Sequence, residues 1–298
     1  MTDRALVVVR AGALTTVQDR GRPGHAHLGV PPSGMLDAPA GLLANRLAGN
    51  APEAALLETT LNGVALRPRC TVTVAVTGAP CPVTVDGRPA AWGAPVRVPA
   101  GALLGVGTAT SGVRSYVAVS GGLDVDPVLG SRSTDLLSGL GPAPLTNGTV
   151  LPLGAAVSSY APVDLGPQPA PPKELVLRIT PGPRDDWITD NARTTLTTHT
   201  YRVSSTSNRI GLRTEGPPLE RAILRELPSE GLVLGAVQVP PNGHPVIFLA
   251  DHPTTGGYPV VAVVRTTDLP AAAQATPGTP VRFVGRSHVR TSFSPCGA

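Results

Sequence analysis

The residues with most to offer chemically lie between Ser229 and Val264, where an apolar run ends in Asp251-His252-Pro253-Thr254-Thr255-Gly256-Gly257-Tyr258. A carboxylate, an imidazole, hydroxyls and backbone amides are gathered there on a glycine-punctuated turn, and glycine lets backbone approach a ligand closely. The bland reading is a tight β-turn whose Asp and Thr satisfy their own backbone. Other isolated charges and polar groups sit in similar company: Gln18-Asp19-Arg20, Ser33-Gly34, Asp37, Glu58 and Arg209. Arg can clamp a carboxylate and Asp can orient an N–H, so together they suit a small polar amide or carboxylate. Taken singly, each is equally a solvated turn residue or half of a structural ion pair.

Other chemistries find less support. There is no G-x-x-x-x-G-K-[ST] phosphate loop, and the single lysine, Lys173, stands in a proline-rich stretch. No G-x-S-x-G elbow is present, which leaves Ser33 as a lone turn serine or an exposed hydroxyl. Gly130-Ser131-Arg132-Ser133-Thr134 reads as an anion-binding loop or, more simply, a turn. His25 and His27 would face one way on a strand but lack a third ligand, so no metal is expected. His252 beside Asp251 resembles a base with its carboxylate, yet neighbours on a strand point apart. Cys70, Cys81 and Cys296 show no metal spacing and read as reduced thiols.

These groups need a scaffold, and the composition describes one. The 298 residues are 41% hydrophobic and 15% charged, with 34 Gly and 34 Pro spread between short Val-rich runs. That is a globular, mainly β chain with many turns. A net charge of +4 without basic clustering, and 3% aromatics, argue against nucleic acid. No apolar run approaches a membrane span and no signal segment is evident, so a cytoplasmic protein is expected. Period-two runs predict strands at Thr71 to Thr77, Pro82 to Asp86 and Arg114 to Ser120, and apolar β-type runs predict others at Ala5 to Arg10, Leu175 to Ile179, Val260 to Val264 and Pro280 to Val284. Asp86-Gly87 is a hairpin turn. Asp37 caps a helix reaching Gly49, and Asn50 with Glu53 predicts a second short helix over Ala51 to Leu57. Ala161 to Lys173 is a linker, dividing an N-terminal β-rich domain with two short helices (1–160) from a C-terminal β domain (174–298).

The motifs resemble one family: T-T-V-Q-D-R-G-R at Thr15 to Arg22, G-V-P-P-S-G-x-L-D at Gly29 to Asp37, A-N-R-L-x-G-N at Ala44 to Asn50, L-E-T-T at Leu57 to Thr60, A-V-S-G-G-L-D at Ala118 to Asp124, G-S-R-S-T-D at Gly130 to Asp135, S-N-R-I-G-L-R at Ser207 to Arg213, and Q-V-P-P-N-G-H-P with D-H-P-T-T-G-G-Y-P from Gln238 to Pro259. They are similar to the allophanate hydrolase subunit 2-like, or biotin-dependent carboxyltransferase-like, family, which includes the C-type component of 5-oxoprolinase and KipA. The resemblance implies two β-barrel-like domains, the C-terminal one cyclophilin-like. It implies one component, inactive alone, of a hydrolase, the ATP-dependent 5-oxoprolinase that opens the lactam of 5-oxoproline to glutamate. The implied partners are a subunit-1/KipI-like protein (the B-type component of 5-oxoprolinase) and a LamB/YcsF-like A-type component. ATP would act at the level of the complex, and this chain lacks the Met-Lys signal for attached biotin.

Two alternatives share the resemblance: the carboxyltransferase half of a urea amidolyase, and a KipA-like antagonist of a kinase inhibitor. Asp251, Arg209 and Asp19 are the implied catalytic residues, without assigned roles. Gln18, Arg20, Ser33, Asp37, Asn45, Glu58, Gln238, Thr254, Thr255, Gly256, Gly257 and Tyr258 are the implied substrate-binding residues. The pattern departs at Asn208 and at His252-Pro253, where many relatives have Asp and Arg-Gln.

Overall fold

The computed structural model describes residues 4–156 and 165–285. Its first half is built from β1 (Ala5–Arg10), β2 (Leu14–Gln18), α1 (Ala38–Ala48), β3 (Leu56–Thr60), β4 (Ala65–Pro68), β5 (Val72–Gly78), β6 (Val83–Val85), β7 (Arg88–Ala90), β8 (Pro95–Val98), β9 (Leu104–Val106), β10 (Arg114–Val119) and β11 (Val150–Pro152). The strands form two sheets, ordered β11-β1-β4-β9-β6-β7 and β2-β3-β10-β5-β8. Alternation decides what each face meets. In β5, Val72, Val74 and Val76 join the apolar core shared by both sheets, while Ala75 packs under α1 and the Thr77 hydroxyl donates to Ala40 O at 2.7 Å. Asp86 and Gly87 both take positive φ, 48° and 76°, the left-handed pair that a two-residue hairpin requires.

The second half comprises β12 (Leu175–Pro181), α2 (Asp190–Thr198), β13 (Tyr201–Val203), β14 (Gly211–Glu215), β15 (Glu230–Gly231), β16 (Ala236–Gln238), β17 (Val246–Phe248), β18 (Thr255–Gly256), β19 (Val260–Val264), α3 (Leu269–Gln274) and β20 (Pro280–Gly285). Seven strands close a barrel in the order β12-β19-β16-β17-β14-β13-β20, sealed by the parallel pair β12–β20. Leu175, Leu177, Val203, Leu212, Val237, Ile247 and Phe283 fill its core, which also accepts Leu36 from the first half. Each fully buried Leu or Phe there contributes about 2 kcal/mol.

Asp37 caps α1 as its sequence foretold, accepting Ala40 N at 3.1 Å, and Gly49 ends the helix at φ 74°. The expected helix over Ala51 to Leu57 is absent. Asn50 does not cap one; its side chain bonds Val119 O, Asn45 Oδ1 and Gly121 N. Leu56 and Leu57 instead begin β3, which pairs with β2 and β10 on both sides. A local capping signal lost to two flanking ladders. His25 and His27 lie around a short 3-10 turn, Ala26–Leu28, not on a strand. Cys70 and Cys81 are free thiols, and Cys296 lies outside the described residues, as does the linker before Leu165. Among the described residues no helix is long and apolar enough to cross a membrane.

The halves meet over α3. The Gln274 side chain accepts Val113 N and Arg114 N, both at 3.0 Å, and donates to Asp37 Oδ2 and Arg114 O, both at 2.9 Å. That uses the full hydrogen-bonding capacity of an amide. Arg114 Nη1 adds a bond to Ala273 O.

Inside the barrel, Tyr201 is fully buried and packs edge-on against Phe283, and its hydroxyl has no partner among the described residues. Burial pushes that phenol up to about 12. Removing an unpaired buried hydroxyl relieves a desolvation cost. Tyr201→Phe is therefore expected to leave stability unchanged or raise it by about 1 kcal/mol in chemical denaturation. A loss of that size would mean that the hydroxyl is bonded in solution.

Candidate functional site

A row of cross-strand neighbours founds the site. Thr16 of β2 pairs with Glu58 of β3, which pairs with Tyr116 of β10. Register therefore sets these three side chains side by side on one face of the sheet. Tyr116 OH donates to Glu58 Oε2 at 2.9 Å, and Leu36 N donates to the same oxygen at 3.0 Å. From the barrel half, Arg209 reaches down onto this row. Its Nη1 pairs with Glu58 Oε1, its Nη2 donates to Gly34 O at 2.7 Å, and its fork holds Asp251 through Nε at 2.9 Å and Nη2 at 3.0 Å. Arg114 Nε stands 3.6 Å from Glu58 Oε1. Two guanidiniums thus balance two carboxylates, and Asp251 Oδ2 also receives Leu136 N at 3.2 Å.

None of these charges is exposed: the side chains of Arg209 and Glu58 are 1% accessible and that of Asp251 0%. Burial alone would raise the Glu58 carboxyl, but Arg209 and Arg114 outweigh it and hold the group below its ordinary value. Burial works against the Arg209 cation, and Glu58 and Asp251 more than compensate, so its pKa is raised. Asp37 shifts the other way, because burial exceeds the help from Gln274 and Ala40 N.

Asp19 anchors a second polar knot. Its Oδ1 accepts Gly21 N at 2.8 Å and the Ser131 and Ser133 hydroxyls at 2.6 Å each, and its Oδ2 accepts Arg132 N at 2.6 Å. The Gly130 to Thr134 loop thus directs its donors at a resident carboxylate. Gln18, at the end of β2, donates to Thr134 O and Thr16 Oγ1, both at 3.0 Å. Ser33 takes φ 52°, a strained value for a non-glycine residue, and Ser33 N donates to Ala250 O at 3.1 Å. Gln18, Asp19, Ser33, Glu58, Arg209 and Asp251 therefore come together where the halves meet.

The remaining expected residues divide. Asp37 lies at the α1–α3 contact, and Asn45 is buried in α1, bonding Ala54 O at 2.8 Å. Arg20 is exposed and pairs with Glu53 at 3.1 Å. Gln238 donates to Tyr258 O at 2.9 Å, bracing the turn that carries Thr254, Thr255, Gly256, Gly257 and the exposed Tyr258. Thr255 and Gly256 pair with Gly231 and Glu230 in a small ribbon. His252 is buried; desolvation lowers its pKa, and its Nδ1 bonds Pro253 O at 2.7 Å.

Sequence reasoning passed over Tyr116, Arg114, Gln274, Thr134 and Arg22. Thr134 and Arg22 stood inside motifs already singled out, whereas the first three carry no local signal. Among the described residues, the buried polar atoms at this junction without a hydrogen-bond partner include Gln18 Oε1, Arg22 Nη1, Ser33 Oγ, Arg114 Nε and Thr134 Oγ1. Among the described residues no cluster of three or more His, Cys, Asp or Glu could hold a metal.

Glu58→Gln is expected to cost about 3–5 kcal/mol at neutral pH, because it strips charge from a buried network. Its native pKa lies below the ordinary 4.5, so Glu58 stabilises fully above that value and loses its contribution as pH falls through the native pKa. Denaturation midpoints measured between about pH 3 and 7 should fall less steeply with acid in the variant than in the wild type. Parallel profiles would show that Glu58 is not the acid-sensitive group.

Known proteins place this geometry. The model for the carboxyltransferase domain, subdomain A and B, matches residues 28–285. The chain is 38% identical over 286 residues to the C-type component of 5-oxoprolinase from Escherichia coli, covering 94% of this chain and 90% of that protein. It is 33% identical over 312 residues to urea amidolyase of Saccharomyces cerevisiae, covering 95% of this chain but 17% of that protein. The crystal structure of TTHA0988 superposes with a TM-score of 0.86 at 37% identity, covering 94% of this chain and 56% of that one. With the family match running from Leu28 to the last strand of the barrel, the chain belongs to the carboxyltransferase domain family, subdomain A and B.

Proposed function

We propose that this chain is the C-type component of an ATP-dependent 5-oxoprolinase and that it supplies the amide-recognition part of the site. The observation that carries this reading is end-to-end similarity to the C-type component of the Escherichia coli 5-oxoprolinase, which spans nearly the full length of both chains. The geometry supports it. Gln18 Oε1 is an acceptor for an amide N–H, and the Ser33 and Thr134 hydroxyls are donors for an amide C=O. Asp251, Arg209 and Asp19 act as positioning residues here, because each is saturated by protein partners.

In this scheme ATP phosphorylates the lactam oxygen and leaves as ADP; one water adds to the activated carbon and the C–N bond breaks with the nitrogen taking up a proton, giving an acyl phosphate, which a second water hydrolyses to glutamate and phosphate. Donors at the oxygen would stabilise the charge that develops there. The chain has no phosphate loop, so ATP is held with or by partner proteins, of the KipI-like B type and the LamB/YcsF-like A type. A second reading, carboxyl transfer to urea, draws on the family's description and on the match to urea amidolyase. It would require a biotin carboxylase and a biotinylated carrier.

The test is reconstitution of the chain with its A-type and B-type partners. ATP-dependent glutamate release from 5-oxoproline should require this chain, and Ser33→Ala should lower kcat/KM on the order of tenfold or more. A rate unchanged when the chain is omitted would remove it from the enzyme. Carboxylation of urea with a biotinylated carrier, without glutamate release, would transfer it to the second reading.

A further inference from the structure

Among the described residues Arg22 is a buried cation with no counter-ion. It follows β2, is 1% exposed, and among the described residues no carboxylate lies within ion-pair reach of it. Its Nε donates to Val128 O at 3.3 Å and its Nη2 to Ser133 O, both neutral carbonyls, while Nη1 has no partner. The other deeply buried arginines are paired, Arg209 with Glu58 and Asp251 and Arg114 with Glu58. Asp19, bonded to the same loop, has its carboxylate engaged by Ser131, Ser133, Arg132 N and Gly21 N. Desolvating a guanidinium against carbonyls alone costs several kcal/mol, which an anionic ligand offsets when it supplies the missing charge and acceptor oxygens.

The surroundings say which anion. Thr134 follows the Ser133 that Arg22 holds, and Gln18 donates to Thr134 O. Arg22, Gln18 and Thr134, each with an unpartnered polar atom among the described residues, are therefore linked through the Ser133–Thr134 backbone. We propose that Arg22 is the specificity residue of this site and pairs through Nη1 with the carboxylate of a substrate whose amide is met by Gln18 and Thr134. The inference rests on the 5-oxoprolinase reading and sharpens it. 5-Oxoproline carries a carboxylate beside its lactam, and urea carries none.

The cover over Arg22 is a turn closed mainly on itself. Asp135 N bonds Leu140 O at 2.9 Å and Gly139 N bonds Asp135 O at 3.0 Å. At its end Gly141 lies so close that a Cβ would strike Ser133 O and stand 3.1 Å from Arg22 Nη2. Leu136 N ties the turn to Asp251. Ligand entry requires this turn to lift.

The experiment compares 5-oxoproline with its neutral carboxamide in the reconstituted complex, for wild type, Arg22→Gln and Arg22→Lys. Arg22→Gln should raise KM for 5-oxoproline on the order of 30-fold or more, while the carboxamide changes by less than about threefold. Arg22→Lys should fall between, because charge remains without the planar fork. The acid-to-amide preference is a ratio within each preparation, so it survives partial unfolding of a variant. An unchanged preference in both variants, or a shift in the KM for ATP alone, overturns the proposal. Should the wild-type complex release no glutamate, the 5-oxoprolinase reading fails separately, and calorimetric binding of 5-oxoproline to the full chain still decides about Arg22. Binding by wild type that Arg22→Gln abolishes would support the proposal, and no binding by wild type would overturn it.

Discussion

The ion network of Glu58, Arg209, Asp251 and Arg114 is the constraint on which the rest depends. It sits at the seam of two separately built β structures, and each half supplies one carboxylate and one guanidinium. Removing any one member leaves a charge uncompensated in a medium that solvates it poorly. The halves are therefore fixed in one arrangement, and the loops attached to the network are fixed with them. Gly34 O, Leu36 N and Leu136 N all bond directly to its members. The strained Ser33 is held between Gly34 and the bond it makes to Ala250 O.

This organisation separates support from recognition. The strongest charges are paired with one another and hold backbone groups of the neighbouring loops. Among the described residues Gln18, Ser33, Thr134 and Arg22 retain buried polar atoms without a hydrogen-bond partner, and it is these that we propose for recognition. All four belong to the first half, Gln18 at the end of β2 and the others on loops, and the loops are tied to the barrel through Asp251 and Ala250. Residues Thr254 to Tyr258 lie apart from this set, on a ribbon braced by Gln238, and leave Tyr258 at the surface.

Much of the scaffold was legible because its signals are local. β5 follows a period-two pattern and β19 is a continuous apolar run, Asp86-Gly87 is a left-handed hairpin pair, and Asp37 with Gly49 brackets α1. The Ala51 to Leu57 segment was misread because its capping signal is also local, while its fate was settled by ladders to residues far along the chain. The polar loops were legible as a group, from glycine-flanked charges and family motifs. Which member pairs with which was not, since Arg209 and Glu58 stand 151 residues apart in the chain.

The amino-acid order by itself determined the mainly β character, the turns, the first helix and the family. Each of these depends on side-chain periodicity, backbone preference or motif order, properties of short stretches. Tertiary structure alone decided that Asp251 and Arg209 lock the halves together, that Gln274 fills the joint, and that Arg22 meets no counter-ion among the described residues. Charge pairing depends on distance in space and on exclusion of water, and neither exists until the two halves have packed.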